Sequence, residues 1–236
     1  KMKKLLYFLI VPILFSSCND DNGNKELSVE TKDITISFEN TINSENINLN
    51  TGIYQNSIGE TFSIDELKYI ISNIEFVKEN GDVFSYPIEQ SYFLINQEDD
   101  DSKIITLENI PSEDFESIKF GIGIDQSNYP LNGVDNFVPT AEENQMLWSW
   151  SAGYIFFKIE GDYSVENENL QDSFLFHIGS HGNNLDNYKT VELTSTEFDL
   201  DLSTKNLISI ETDISKLFNA VYDIRINDKS DIQVDP

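Results

Sequence analysis

The side chains best suited to bind a metal lie in two short stretches of this sequence. Both tryptophans of the chain, Trp148 and Trp150, lie in the aromatic segment MLWSWSAGYIFFKIEG. Both histidines, His177 and His181, lie four positions apart in FHIGSHG. Imidazole nitrogen binds copper, zinc, iron and nickel. Two histidines cannot close a metal site alone, so a metal centre here requires further ligands.

The strand expected around His177 limits what this residue can do. Side chains alternate along a strand, which places His177 on the same face as Leu175 and opposite Phe176. His177 is therefore either a half-buried histidine of the sheet or a ligand that points into a pocket. Beyond Gly179, a turn is expected to carry His181.

Known catalytic motifs are missing from the sequence. It contains no GxSxG, HExxH, P-loop or CxxC pattern. Paired carboxylates carry no information in a chain with 42 acidic residues. The single cysteine, Cys18, excludes an internal disulfide, a Cys-rich zinc site and a catalytic thiol in the body of the protein. A hydrolase with a diffuse, His-dependent site stays open as an alternative.

The beginning of the sequence predicts export. Lysines precede Leu5–Phe15, an apolar stretch of eleven residues, which is shorter than the ~20 residues that a membrane-spanning helix needs. We interpret residues 1–17 as a signal peptide. The sequence LFSSC resembles a bacterial lipobox, in which Cys18 is lipidated; the alternative is an ordinary secretory signal followed by a chance cysteine. The polar residues 18–30 are expected to form a flexible tether.

The charge of the chain excludes several partners. Its formal net charge is −27, which disfavours nucleic acid and anionic membrane surfaces. We therefore expect a cell-envelope protein that is held on the outer membrane by a lipid anchor only, facing the periplasm or the outside. The acidic run NQEDDDS at 96–102 could form a calcium loop, but it lacks the EF-hand spacing and glycine, so a hairpin loop is favoured.

The remaining sequence predicts about ten short strands. DITISF alternates with Ile34, Ile36 and Phe38 on one face. SIKFGIGID alternates likewise, with four apolar residues on one face and two glycines on the other, where another group can approach closely. The members of this pattern are Ile118, Phe120, Ile122 and Ile124, opposite Gly121 and Gly123.

Short helical turns are expected within this β pattern. LKYIISNIEFVKENGDVFSYPI predicts a strand, a turn at Asn80–Gly81 and a second strand. The spacing of Ser63 and Glu66 also fits a capping box, and the alternative for residues 64–71 is one or two helical turns. Asp213 is expected to cap a short helix over 213–218. Taken together, residues 31–236 predict a single all-β domain, an antiparallel β-sandwich of Greek-key or immunoglobulin-like type.

Several motifs, in this order, resemble those of the MbnP-like family of secreted or lipidated proteins. They are FGIGID, a long loop, M-x-W-x-W-x-x-G-Y followed by K-x-E-G, and F-x-H-x-G. The resemblance covers about residues 33–220. It implies a β-sandwich that binds one copper ion. It also implies that a tryptophan is oxidised to kynurenine by a partner dihaem oxidase of the MbnH type, related to cytochrome c peroxidases.

The resemblance implies that an aromatic amine and two imidazoles hold Cu(I). Trp148 and Trp150 match the tryptophan motif, and either is a candidate for oxidation. His177 matches the motif histidine, whereas His181 has no sure counterpart. The sequence departs from the family here, because family sites draw their histidines from separated segments and these two lie within five residues. Met146 is a candidate soft ligand. The protein would then be a substrate of the oxidase and a carrier of copper, with an outer-membrane transporter as a further partner, and not an enzyme.

A different function class also fits the composition. The chain is rich in aromatic residues, and a surface-exposed binding or adhesion module without metal would stack such side chains on glycan. Tyr129, Tyr154 and Tyr188 are the candidates for that role. Most aromatic side chains of such a domain are nevertheless expected in the core, and a glycan array without binding would count against this alternative.

Overall fold

The computed structural model describes most of the chain as strands joined by short connections. The described residues are 29–125, 137–148, 153–165, 169–170, 172–180, 186–196, 200–219 and 223–233. The strands are β1 Thr31–Ile42, β2 Glu45–Asn46, β3 Tyr54–Gln55, β4 Thr61–Phe62, β5 Glu66–Val77, β6 Val83–Ser85, β7 Tyr92–Asn96, β8 Ile104–Pro111, β9 Ser117–Ile122, β10 Ile155–Ser164, β11 Asp172–Gly179, β12 Lys189–Thr194, β13 Leu207–Asp213 and β14 Asp231–Gln233. The helices are α1 Val138–Glu143 and α2 Ser215–Asn219, and 3-10 turns span Ile88–Gln90 and Asp101–Lys103. The predicted signal peptide, Cys18 and most of the predicted tether lie outside the described residues.

Two sheets form a sandwich, which confirms the predicted all-β fold. In the smaller sheet, β1 pairs with β2, β8 and β13. In the larger sheet, β5 pairs with β6, β7, β9 and β10, and the sheet continues from β9 to β12 and from β10 through β11 to β14. Most pairs are antiparallel, while β1–β13 and β11–β14 are parallel. Within the described residues, no helix is long and apolar enough to span a bilayer.

The main core lies between the sheets and follows the predicted alternation of β1. Ile34, Ile36 and Phe38 are all buried. The ring of Phe38 packs edge-on against Tyr69 and Phe120 of the larger sheet, at centroid distances of 6.3 and 6.0 Å. Burying each such side chain contributes about 1.5–3 kcal/mol, so the period-two pattern accounts for the closure of the sandwich.

A second apolar layer covers part of the outer face of the larger sheet. We call it the outer cluster. Its buried members are Ile70, Tyr92, Leu94, Ile124, Phe137, Ala141, Met146, Trp148, Tyr154, Ile155 and Phe156. Because α1 and the segment after it lie on this face, the larger sheet is buried on both sides there.

Burial on both sides explains an error in the sequence prediction. The predicted strand, turn and second strand are confirmed as β5 and β6, which pair antiparallel around Gly81. The alternative of helical turns over 64–71 is wrong, because this segment enters β5, whose residues 67–72 are buried in unbroken succession. A strand covered on both faces reads as a continuous apolar run without alternation. Glu66 does not cap a helix; it pairs with lysines of the sheet, as described below.

Two further predictions changed in detail. Gly123 has a φ of +100°, which ends β9 and turns Ile124 into the outer cluster, away from the core that holds Ile118 and Phe120. The acidic run does not join a hairpin, because β7 belongs to the larger sheet and β8 to the smaller one. The predicted cap of α2 is confirmed, since the Ser215 N–H donates to Asp213 Oδ1 at 3.0 Å.

The carboxylate of Glu60 attaches the C-terminal part of the chain to the sandwich. Glu60 is 4% exposed. Its oxygens accept hydrogen bonds from the Ile226 N–H at 2.8 Å, the Asn227 N–H at 3.0 Å and Asn56 Nδ2 at 2.7 Å. Ile226 and Asn56 are buried, so these two donors have little solvent to replace the carboxylate.

We predict that Glu60→Ala lowers the free energy of unfolding by about 1–3 kcal/mol, because the buried Ile226 N–H and the buried Asn56 amide lose their acceptor. Urea denaturation measures the change. Glu108→Ala, at an exposed position, is the matched control and should leave stability within about 0.5 kcal/mol. Equal stability of both variants would contradict a structural role for Glu60.

Candidate metal centre

The end of α1 determines where Met146 lies. Gln145 adopts a φ of +59° and its N–H donates to the Glu142 carbonyl at 3.1 Å, while the Met146 N–H donates to the Ala141 carbonyl at 2.8 Å. These bonds form a Schellman motif, which ends the helix and reverses the chain. Met146 is completely buried against the outer cluster, which also contains Ala141.

A short backbone ladder then fixes Trp148. Leu147 and Tyr154 form an antiparallel bridge. The Trp148 N–H donates to the Gly153 carbonyl at 3.2 Å, and the Ile155 N–H donates to the Met146 carbonyl at 2.8 Å. Trp148 is therefore held by backbone hydrogen bonds between residues 146–148 and residues 153–155, at the beginning of β10.

The indole of Trp148 lies directly on the backbone of Gly179. A Cβ atom at Gly179 would stand 2.5 Å from Cη2 and 2.8 Å from Cζ3 of Trp148, and 2.3 Å from the carbonyl oxygen of Tyr154. No side chain fits in that space, and Trp148 is only 6% exposed. The tryptophan ring thus packs directly on the glycine of the F-x-H-x-G motif.

This contact brings His177 and Trp148 to the same face of the sheet. His177 lies two residues before Gly179 on β11, so His177 and Gly179 share a face of the strand and their Cα atoms are about 7 Å apart. The ring of Trp148 covers Gly179 on that face. The side chain of His177 is 15% exposed. A histidine and a tryptophan from separate segments are therefore neighbours on the outer face of the larger sheet.

A row of charged residues crosses three strands beside this pair; we call it the ionic row. It consists of Glu66 and Lys68 on β5, Lys158 and Glu160 on β10, and His177 on β11. Lys158 stands directly opposite both Lys68 and His177 in the strand register. Like charges that face each other across strands repel, so the carboxylates are needed to make this arrangement stable.

The distances show how the charges are paired. Lys158 Nζ, which is 4% exposed, lies 2.8 Å from Glu66 Oε2 and 3.3 Å from Glu160 Oε1. Glu160 Oε1 also lies 2.7 Å from His177 Nε2. Lys68 Nζ lies 2.5 Å from Glu66 Oε1. Every charged group of the row thus has a partner, as burial in a low-dielectric environment requires.

The row also holds the end of α1 and shifts one pKa. Lys68 Nζ donates to the carbonyl of Asn144 at 3.3 Å, which links the charges to the segment that carries Trp148. Burial alone would raise the pKa of Glu66, but hydrogen bonds and positive charge from Lys158 and Lys68 outweigh it and lower the pKa below 4.5.

The sequence interpretation missed the ionic row although a signal was present. Glu66 and Lys68, and likewise Lys158 and Glu160, are spaced two apart, which places each pair on one face of its strand. The K-x-E-G motif contained two of these residues, but nothing in the sequence showed that they face His177. That pairing depends on the registers of β10 with β5 and β11.

The structure brings two of the five residues predicted for the site to one face of the sheet. Trp148 and His177 share a face, and Met146 is buried in the outer cluster. Trp150 and His181 lie outside the described residues. Among the residues that the structure describes, no group of three or more His, Cys, Asp or Glu side chains is arranged to hold a metal ion.

The available donors are chemically suited to copper if the indole of Trp148 is converted to an amine. His177 supplies an imidazole, a ligand that copper favours. Opening the indole would supply a second nitrogen on the same face, and its neighbours would be the mostly buried charges of the ionic row. A copper ion bound there would need further ligands in addition to these two nitrogens.

The tyrosines proposed for glycan stacking are not presented in that way. Tyr154 is completely buried. Tyr188 accepts a hydrogen bond from Asn73 Nδ2 at 2.9 Å, and its ring occupies the space that a side chain at Gly121 would need. Tyr129 lies outside the described residues. The position of these rings gives no support to an adhesion module that uses them.

Comparison with known proteins identifies relatives of this architecture. The family model described as MbnP matches residues 31–234. Among solved structures, MbnP from Methylosinus trichosporium is similar with a TM-score of 0.54 and 13% sequence identity, covering 83% of this chain and 80% of that chain. At this identity the structural similarity shows a shared fold. No curated protein matches the sequence.

We predict that Gly179→Ala destabilises the protein by about 1–3 kcal/mol, because the added methyl group overlaps the Trp148 ring and the Tyr154 carbonyl. Urea denaturation and tryptophan fluorescence measure the loss of stability and the displacement of the ring. Ser173→Ala, at an exposed position of the same strand, should change neither quantity appreciably. Unchanged fluorescence in Gly179→Ala would contradict the contact.

We also predict a pH dependence that originates from Glu66. Because its pKa is lower in the folded than in the unfolded protein, the carboxylate stabilises the fold above about pH 4.5, and this contribution is lost as the pH falls through the folded pKa. Glu66→Gln should lower stability at neutral pH and flatten the pH dependence below 4.5. Glu79→Gln, which is exposed, should retain the wild-type slope; equal slopes in all three proteins would refute the assignment.

Proposed function

This chain belongs to the MbnP family, and on that premise we propose that it is an envelope lipoprotein that binds and carries one copper ion. The observation that supports the proposal is that Trp148 and His177 lie on the same outer face of the larger sheet, because the Trp148 ring packs on Gly179. These residues are 29 positions apart in the sequence numbering, and only the fold makes them neighbours.

The proposed ligands are nitrogen donors. His177 supplies one imidazole, and Trp148, after oxidation to kynurenine, supplies an aromatic amine. His181 is the proposed source of a second imidazole. Copper(I) favours such nitrogen donors and soft thioethers, but Met146 is enclosed by the outer cluster, so we assign it to packing and not to the ligand set.

Trp148 is the preferred target of oxidation. The atoms that rest on Gly179 are Cη2 and Cζ3, at the benzo edge of the indole, so the bond between Cγ and Cδ1 lies at the opposite edge of the ring. Oxidation inserts two oxygen atoms across that bond, and hydrolysis then releases the Cδ1 carbon as formate, leaving the arylamine of kynurenine. Two equivalents of hydrogen peroxide, each reduced to water with the partner dihaem oxidase as catalyst, supply this four-electron oxidation.

The proposed role is binding and transfer of copper, not catalysis. The protein would be a substrate of the dihaem oxidase and would then pass copper to an outer-membrane transporter. Lipidation at Cys18 would hold it on the outer membrane, and residues 18–30 would act as the tether. Its charge of −27 suits a protein that is attached by lipid and not by attraction to anionic headgroups.

Mass spectrometry tests the modification directly. In protein co-produced with the oxidase, we expect Trp148 to be about 4 Da heavier, the net change from tryptophan to kynurenine, with fragment ions separating it from Trp150. Trp148→Phe should abolish both the mass shift and stoichiometric copper binding, because phenylalanine cannot form the amine.

Trp150→Phe is the matched control and should retain the mass shift and the copper. A wild-type protein that stays unmodified with active oxidase and binds no copper would overturn the proposed function. Modification of Trp150 alone would overturn the assignment to Trp148.

A further inference from the structure

The hydrogen bond between His177 and Glu160 has a consequence for how the imidazole can act. Resting on the proposed function, we propose that Glu160 is a positioning residue that holds His177 as the Nε2–H tautomer and thereby presents Nδ1 to the metal. The two atoms that carry the inference are His177 Nε2 and Glu160 Oε1, 2.7 Å apart.

The direction of this hydrogen bond follows from the chemistry of the groups. A carboxylate has no proton to donate, so it accepts, and the shared proton resides on Nε2. A neutral imidazole with Nε2 protonated keeps its lone pair on Nδ1. Among the described residues, the imidazole of His177 makes no side-chain hydrogen bond other than the one to Glu160, and in the proposed site its Nδ1 lone pair is the one that meets the metal.

The carboxylate is itself held in place. Lys158 Nζ lies 3.3 Å from the same Glu160 oxygen and 2.8 Å from Glu66 Oε2. Lys158 is 4% exposed, so it has little freedom to leave these partners. The ammonium therefore anchors Glu160, and Glu160 anchors the ring of His177.

The strand beneath Glu160 is also restrained. The next residue, Gly161, faces the carbonyl of Ser63 so closely that a Cβ would stand 2.0 Å from that oxygen. In the β10–β11 register, Glu160 is opposite Leu175 and Lys158 is opposite His177. Glu160 and His177 are thus diagonal neighbours, an arrangement within reach of long side chains.

With a metal on Nδ1, Glu160 and His177 would form a carboxylate–histidine–metal triad. In such arrangements the carboxylate fixes the tautomer and the ring orientation, and its loss costs about 10–100-fold in metal affinity. A carboxylate that merely neutralised a histidine on the surface would not need a buried lysine behind it. Lys158 and Glu160 thereby give the K-x-E part of the K-x-E-G motif a function in positioning His177.

The first test is the tautomer of the metal-free protein. Long-range ¹H–¹⁵N correlation spectra of ¹⁵N-histidine-labelled protein at about pH 8.5, where imidazole is neutral, report which nitrogen carries the proton. His181→Gln assigns the His177 signals. We expect Nε2–H in the wild-type protein and a loss of this preference in Glu160→Gln. Nδ1–H in the wild-type protein would overturn the proposal.

The second test is the nitrogen that binds. Anaerobic addition of Cu(I) to oxidase-treated protein should shift the Nδ1 resonance of His177, and competition with a chromophoric Cu(I) chelator should show about 10–100-fold weaker binding in Glu160→Gln. Asp162→Asn is the matched control, because Asp162 is the next carboxylate on that face of β10 and accepts from Ser173, not from a histidine.

The outcomes separate this inference from the proposed function. Copper binding through Nε2, or wild-type affinity in Glu160→Gln, would overturn the inference while leaving copper binding intact. Failure of the wild-type protein to bind Cu(I) would overturn the proposed function and, with it, the role of Nδ1 as a ligand. If Glu160→Gln does not fold, the wild-type tautomer and the nitrogen shifted by Cu(I) still decide the matter.

Discussion

The second layer of this protein depends on a steric constraint: aromatic rings lie on positions of the larger sheet where the backbone carries no side chain. Trp148 rests on Gly179, Phe156 occupies the space above Gly123, and Tyr188 occupies the space above Gly121. A ring can approach a strand this closely only where Cβ is absent. Because Gly179 has no side chain, the segment after α1 can pack against the larger sheet through Trp148. This packing places Trp148 on the same face as His177.

The ionic row completes this layer with charge. Buried ion pairs add little net stability, because desolvation offsets most of their attraction, but an unpaired member is very unfavourable. The row therefore selects one arrangement in which each lysine meets a carboxylate and each carboxylate meets a cation or His177. Through the bond of Lys68 to the Asn144 carbonyl, that arrangement also fixes the end of α1, so the apolar and charged contacts position the site together.

Sequence patterns predicted the parts of this fold that have one solvated face. The alternation in β1 placed Ile34, Ile36 and Phe38 in the core correctly because polar residues separate them. At β5 the strand prediction was also correct, but burial on both faces removes the alternation, so the spacing of Ser63 and Glu66 left a helical alternative that the structure shows to be wrong. The alternation failed at Ile124, where the left-handed backbone of Gly123 turns the chain out of register with β9.

The sequence alone determined the all-β class, the residue types that can bind copper, and the presence of glycines where something must approach closely. It also related the motifs around Trp148 and His177 to one family. Only the tertiary structure decided that these two residues share a face and that Glu160 lies next to the imidazole. The physical reason is that strand register is set by backbone hydrogen bonds and packing between segments far apart in the chain, and a shift of one residue would turn His177 to the other side of the sheet.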